Sequence, residues 1–152
     1  MSAFWRIAPA VAWAALIFVL SAQPDLPRAP SSLLDLLLKK GAHLTEYAVL
    51  AVLVRHALGP PLRLGVRPRV GLAWGITVLY AVTDEIHQAF VPGRTATVTD
   101  VAIDGLGALL GLCLRWTLER WWSRSAGIPA RWSAALPWPP ADATATGRRR
   151  ER

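Results

Sequence analysis

Four long apolar segments occupy most of the 152-residue sequence and limit its fold more than any other feature. They cover residues 7–22, 42–58, 70–90 and 98–116, with little polar sequence between them. A helix needs about 20 apolar residues to cross the hydrocarbon layer of a bilayer. Buried core helices of a soluble protein are the alternative. Four such segments in so short a chain favour an all-α bundle of four transmembrane helices in the cell membrane.

The composition agrees with a multi-pass membrane protein. Hydrophobic residues make up 53% of the chain and charged residues 18%, whereas soluble domains average about 25% charged residues. The formal net charge of +7 is of the sign that nucleic acids attract. However, the basic residues interrupt apolar runs instead of forming one stripe, so we predict no nucleic-acid partner. The single Cys113 allows no internal disulfide.

The basic residues are unequally divided between the two ends of the predicted helices. Thirteen of the 17 Lys and Arg residues lie near the termini or between the second and third segments. The other four are Arg28, Lys39, Lys40 and Arg94. Cytoplasmic loops of membrane proteins are enriched in Lys and Arg. We therefore expect both termini to lie in the cytoplasm. A chain in the membrane is also expected to have membrane lipids as partners.

Two further elements are expected outside the four segments. Ser32 and Asp35 have the spacing of a helix N-terminal capping box. Leu36, Leu37 and Leu38 follow, which predicts a short interfacial helix on the outer surface. Residues 1–122 then form the transmembrane domain, and the Pro- and Arg-rich residues 123–152 form a cytoplasmic tail that we expect to be disordered.

Ionisable residues within a membrane are energetically costly and commonly mark functional sites. Four polar residues near the start of the second segment share one helical face, because they are three or four residues from His43: Lys40, His43 itself, Glu46 and Tyr47. The third and fourth segments bring a second set to the same outer depth: Asp84, Glu85, Gln88, Arg94, Asp100 and Asp104. The sequence predicts one polar site at the outer leaflet, in which Arg94 bridges Asp84, Glu85 or Asp100.

Several of these residues also have simpler explanations. Asp100 and Thr97 have the spacing of a helix cap, and Gly107 and Gly111 form a small-xxx-small motif for helix packing. His87 is equally compatible with the site and with lipid headgroups. The carboxylates and His43 are of metal-ligand type, but no compact metal-ligand spacing occurs. We therefore predict neither a metal nor a cofactor.

Three stretches of the sequence resemble the VanZ-like membrane proteins, which are named for a teicoplanin-resistance protein. They are Ser21-Ala-Gln-Pro24, Lys40-x-x-His43-x-x-x-Tyr47 and Asp84-Glu85-x-x-Gln88-x-Phe90-x-Pro92-Gly93-Arg94-x5-Asp100-x3-Asp104-x2-Gly107. The resemblance covers about residues 10–115, and the third stretch is the most specific. The family usually has Asn where this chain has Asp104. The resemblance implies a small multi-pass membrane protein with a role in glycopeptide susceptibility, but no reaction.

Three functions are compatible with the predicted site. In the first, it binds an amphiphilic ligand, such as a lipid-linked cell-wall intermediate or a lipoglycopeptide. Lys39, Lys40 and Arg94 then contact a phosphate, and the carboxylates and Gln88 bind hydroxyl or amide groups. In the second, the protein is a membrane enzyme acting on a lipid headgroup or lipid-linked intermediate, with Asp84 and Glu85 as acid and base and His43 as a proton carrier. In the third, the polar residues only fix the packing of the helices. The oligomeric state is not predicted.

Overall fold

A computed structural model describes residues 3–24, 30–59, 65–94 and 96–125. These residues form four α-helices: α1 (Ala3–Ser21), α2 (Ser32–Ala57), α3 (Val66–Gln88) and α4 (Val98–Ser125). The described ranges contain no strand, which confirms the all-α prediction. The chain divides into two compact units, residues 1–115 and 116–152, and the described part of the second unit is the end of α4.

Two of the four helices, α1 and α4, are long and apolar enough to cross a membrane. Length and composition alone also admit a core helix of a soluble protein, or a signal sequence in the case of the N-terminal α1. Among the described residues, α2 and α3 do not meet the same combined requirement. The structure therefore supports two candidate membrane helices, α1 and α4.

The second helix is longer than the apolar segment that predicted it. Ser31, one residue before the predicted cap, accepts a hydrogen bond from the Leu34 amide at 3.2 Å, and α2 then continues without interruption to Ala57. The separate interfacial helix is thus replaced by the first turns of α2. The reason is local: residues 32–57 contain no proline, and Asp35 pairs with Lys39 over 2.7 Å one turn later.

Close packing of α2 against α4 depends on two glycines. A Cβ atom added to Gly107 would lie 2.9 Å from the Leu44 Cα, and one added to Gly111 would lie 2.8 Å from the Ala48 Cα. Real Cβ atoms do not approach backbone so closely, so any side chain at either position would separate the helices. The predicted packing role of this motif is confirmed.

The described part of the bundle has an apolar exterior and a polar interior. Large apolar side chains lie exposed on all four helices, for example Phe18, Leu37, Leu79 and Leu110. The buried side chains are mostly small, such as Ala51, Ala73 and Ala108, or polar: Ser21, Arg55, Thr77, Asp84, Glu85, Gln88, Asp104 and Ser123. Extensive apolar exposure of this kind is typical of surfaces that contact a membrane or another protein.

Part of the predicted C-terminal tail is helical. Residues 123–125 belong to α4, and Arg120 lies over the Trp116 ring, 4.5 Å from its centroid, in the same part of the helix. The rest of the predicted tail, residues 126–152, lies outside the described residues.

Candidate functional site

Asp84 is the centre of a buried hydrogen-bond network that joins three helices. Its Oδ2 accepts hydrogen bonds from the Ser21 hydroxyl of α1 at 2.9 Å, the Tyr47 hydroxyl of α2 at 3.1 Å and the Gln88 amide of α3 at 2.9 Å. Gln88 also donates to the Ser21 hydroxyl oxygen at 3.3 Å. All four side chains are buried, with Asp84 only 3% exposed. Within this network, Oδ2 of Asp84 therefore accepts three hydrogen bonds from protein groups.

A second set of pairs joins α2 to α4 through the predicted polar face of α2. His43 Nδ1 lies 3.4 Å from Asp104 Oδ1. About one turn closer to the N-termini of both helices, the Lys40 ammonium pairs with Asp100. Exposure decreases along this row, from 33% for the Lys40 side chain to 18% for His43 and 1% for Asp104. The row therefore leads from the protein surface to a buried carboxylate.

Several buried oxygen atoms in these two networks lack hydrogen-bond donors. Asp84 Oδ1 and both oxygens of Asp104 accept no hydrogen bond from any described residue. A buried polar atom without a partner costs roughly 1–3 kcal/mol, and more when the group is charged. These atoms can therefore accept hydrogen bonds from a bound group.

Glu85 and Asp84 are neighbours in sequence but have different roles in the structure. The Thr97 backbone amide donates to Glu85 Oε1 at 2.5 Å, ahead of the first turn of α4. The Thr97 hydroxyl in turn accepts from the Asp100 amide at 3.3 Å, as the predicted cap requires. Successive residues on a helix point about 100° apart, so Glu85 holds the α3–α4 connection while Asp84 faces α1 and α2.

Arg94 does not occupy its predicted position among the carboxylates. Its Nη2 donates to the Leu20 carbonyl at 3.2 Å, and its Nε donates to the Gln23 carbonyl at 3.3 Å. No ion pair joins its guanidinium to an acid within the described ranges. The prediction that Arg94 bridges Asp84, Glu85 or Asp100 is wrong. The carbonyl groups at the end of a helix have no intrahelical donors and carry partial negative charge, so they attract a cation.

The two remaining residues that raised questions in the sequence lie beside these networks. Glu46 is half-buried, and it interacts electrostatically with His43 and Asp104. His87 stacks on Phe18 of α1, with ring centroids 4.2 Å apart. His87 therefore packs against an apolar helix face, and its Nδ1 has no described hydrogen-bond partner.

The arrangement of these groups restricts the kind of ligand that the site can hold. No group of three His, Cys, Asp or Glu side chains in the described part of the chain is placed to hold a metal ion. The acceptors are oxygen atoms of carboxylates, and the exposed end of the row carries Lys40 and His43. Such a site can accept hydrogen bonds from a polar group that carries N–H or O–H donors.

The helices that build these networks all lie in the region matched by one family model. The model described as VanZ/LLP1 matches residues 3–119, which include every predicted site residue. The chain belongs to the VanZ/LLP1 family. No curated protein and no solved structure matches it. The resemblance inferred from the three sequence motifs is confirmed.

In this VanZ/LLP1 protein, the three motifs come together at one end of the bundle. Ser21 of the first motif and Tyr47 of the second both donate to Asp84 of the third. The turn after α3 also contacts the first motif, because a Cβ on Gly93 would lie 3.2 Å from the Pro24 carbonyl oxygen. Gly93 has φ of +81°, a conformation that favours glycine.

One functional candidate of this VanZ/LLP1 protein was missed by reasoning from the sequence. Ser21 is a neutral residue at the end of an apolar segment, so a search for ionisable groups does not select it. Its signal is its place as the first residue of the Ser21-Ala-Gln-Pro24 motif, from which it reaches Asp84 and Gln88.

Proposed function

We propose that this VanZ/LLP1 protein is a multi-pass protein of the cell envelope in which all four helices span the membrane. Each helix has a length near or above the 20 residues that a span requires. In α3, buried Asp84 and Glu85 face the protein interior, while Leu79 and Ile86 are exposed outside. Intramembrane charges facing a bundle interior avoid the cost of contact with hydrocarbon.

Orientation follows from the charge distribution. Thirteen of the 17 basic residues fall on the side of the termini and of the connection between α2 and α3. The positive-inside rule then puts both termini in the cytoplasm. Asp84, His43 and Asp104 thus belong to the outer leaflet.

The proposed function of the polar site is to bind the headgroup of a lipid-linked or amphiphilic ligand. One observation carries this proposal: Asp84 is buried among three donors on one oxygen, while its other oxygen accepts nothing from the described residues. If Asp84 served only to pack the helices, its unsatisfied buried oxygen would lower the free energy of unfolding without any compensating gain. A lipid-linked cell-wall intermediate or a lipoglycopeptide supplies both hydroxyl or amide donors and an apolar chain.

The test compares the lipids that purify with the protein and with an Asp84→Asn variant. An Asn side chain can keep its carbonyl oxygen where Oδ2 accepts three hydrogen bonds. It replaces only the unpartnered Oδ1 by an NH₂ donor. We expect the variant to fold but to lose a co-purified amphiphile that mass spectrometry detects in the native protein.

Asp35→Asn is the matched control, because Asp35 pairs with Lys39 in the first turns of α2, away from the Asp84 network. It should retain the amphiphile. Equal retention by the native protein and the Asp84→Asn variant would contradict the proposed site. A role in glycopeptide susceptibility predicts a parallel loss of phenotype in the Asp84→Asn strain at unchanged protein level.

The contact between His43 and Asp104 favours a second candidate function. An imidazole beside a buried carboxylate, 3.4 Å away, is an arrangement that enzymes use to move protons. In that case the protein is a membrane enzyme that acts on a lipid headgroup or lipid-linked intermediate. Product formation from such a lipid, abolished by His43→Gln, would favour catalysis over binding alone.

A further inference from the structure

The carboxylates at the outer end of the bundle differ in how their charge is balanced. Asp35 and Asp100 pair with Lys39 and Lys40. Glu85 accepts the Thr97 amide. These three acids each have a partner of their own.

The other three acids of this region have much less compensation. Asp84, Asp104 and Glu46 interact electrostatically with one another. Two cations also act on this group, Arg94 on Glu46 and Lys40 on Asp104, but Arg94 donates to carbonyl oxygens at the end of α1 and Lys40 pairs with Asp100. Among the described residues, His43 is therefore the basic group that pairs with one of the three carboxylates, in a low-dielectric setting where charges must be paired or neutralised.

The unpartnered atoms indicate what kind of charge is missing. Asp104 is 1% exposed and Asp84 3% exposed, yet Asp84 Oδ1 and Asp104 Oδ2 have no described donor, and Asp104 Oδ1 has the ion-pair contact with His43 Nδ1 at 3.4 Å but no hydrogen bond. They require N–H or O–H donors in addition to positive charge. A primary ammonium group supplies both, because it carries one positive charge and three donors.

We propose that the site binds the primary ammonium group of a zwitterionic headgroup, with Asp104 and Asp84 as its acceptors. This inference rests on the proposed binding of an amphiphile and names its headgroup class. His43 lies over Asp104 at the more exposed end of the row, so the ammonium enters by displacing the imidazole from the carboxylate. Lys40 precedes His43 by three residues on α2, a rise of about 4.5 Å towards the more exposed end of the row. The inference places the phosphate of the headgroup on this Lys40 side.

Asp104 is central to this inference. Its carboxylate offers two acceptor oxygens and a full negative charge, whereas an amide would offer one acceptor oxygen. The acid at residue 104 adds negative charge next to His43 and Glu46. An ammonium ligand is the partner that this additional charge favours.

The test uses the full chain in lipid nanodiscs that contain equal amounts of three phospholipids with identical acyl chains. Their headgroups are phosphoethanolamine, with a primary ammonium; phosphocholine, with a quaternary ammonium and no N–H; and phosphoglycerol, an anion with hydroxyl donors. Native mass spectrometry measures which lipid stays bound. We expect phosphoethanolamine to be preferred over phosphocholine by at least about tenfold, since hydrogen bonds to charged groups are lost with the quaternary headgroup.

Two variants and one control separate the site from general lipid binding. Asp104→Asn and, independently, Glu46→Gln should reduce the preference for phosphoethanolamine towards equality while lipid is still retained. Asp35→Asn should keep it. Excess free ethanolamine should displace bound phosphoethanolamine lipid only if the ammonium group alone is recognised. If ethanolamine does not displace the lipid, the site recognises the headgroup as part of the whole lipid.

Three other results would contradict the ammonium inference, and one of them would also contradict the proposed function. Equal retention of phosphoethanolamine and phosphocholine by the native protein would overturn the ammonium inference and leave the proposed amphiphile site standing. Preference for phosphoglycerol would also overturn it, because the cations Lys40 and His43 would then dominate. Failure to retain any lipid would overturn the proposed function and the inference together.

Discussion

Arg94 and Leu20 are joined by a hydrogen bond of 3.2 Å from the Arg94 guanidinium to the Leu20 carbonyl, across 74 residues of sequence. With the second bond to Gln23, this contact fixes the end of α1 to the turn that follows α3. The guanidinium thus occupies a helix terminus, where free carbonyl oxygens need donors. Its contribution is to the assembly of the bundle.

Replacement of Arg94 by Lys should destabilise the protein modestly. One ammonium cannot serve two separated carbonyl oxygens with the fixed geometry of a guanidinium, and we expect a loss of about 1–2 kcal/mol. Thermal unfolding of the purified protein measures it. Arg67→Lys, on the exposed first turn of α3, is the control and should change stability by less than about 0.5 kcal/mol. Equal effects of the two substitutions would contradict the assignment.

Ser21 and Asp84 should behave as one energetic unit. Asp84→Ala removes the acceptor for three buried donors, and we expect a loss of at least about 3 kcal/mol. Once Asp84 is absent, Ser21→Ala removes a donor that already lacks its acceptor. The double variant should therefore be more stable than the sum of the single effects by about 1 kcal/mol. A double-mutant cycle with Asp35→Ala in place of Ser21→Ala should be additive, and coupling of the same size there would show that the effect is not local.

Gly107 should tolerate no side chain, in contrast to a glycine on α3. Gly107→Ala places a methyl group against the Leu44 backbone, so α2 and α4 must separate. We expect a loss of about 1–3 kcal/mol. Gly75→Ala is the matched control, because nothing lies within 4 Å of its added Cβ and alanine favours the helix by up to about 1 kcal/mol. A fall in unfolding temperature for both variants would contradict the packing.

Fusions to alkaline phosphatase should report the orientation of the helices. The enzyme is active only outside the cytoplasm, so a fusion after Gly93 should give activity and a fusion after Gly65 should not. The expectation rests on the 13 basic residues of the proposed cytoplasmic side. The opposite pattern would move the Asp84 site to the cytoplasm.

The helices were predictable because apolar segments and caps are local signals. Gly107 and Gly111 also predicted close helix packing, since small residues spaced by four form one groove on a helix, but not that α2 would be the partner. The start of α2 was less predictable. Leu36, Leu37 and Leu38 are compatible with an interfacial helix and with the first turns of α2, and no proline separates the two.

The partners within the site depend on contacts that no local pattern encodes. The shared face of His43 and Lys40 was predicted from spacing, and the structure brings these residues to Asp104 and Asp100. Arg94 was assigned to a carboxylate because opposite charges attract, but the end of α1 offers it two carbonyl oxygens. A backbone carbonyl is present at every residue, so the sequence carries no sign of this choice.

The contacts at the end of α1 can form only after much more of the chain has been synthesised. Ser21 is separated by 63 residues from Asp84, and Leu20 by 74 residues from Arg94. At a translation rate of about 5–20 residues per second, roughly 4–15 s pass before Arg94 exists. During that interval α1 lacks these partners, and Phe4, Val11 and Phe18 are among its exposed side chains in the complete fold. A chain interrupted before residue 94 would therefore lack the two hydrogen bonds that join the end of α1 to the turn after α3.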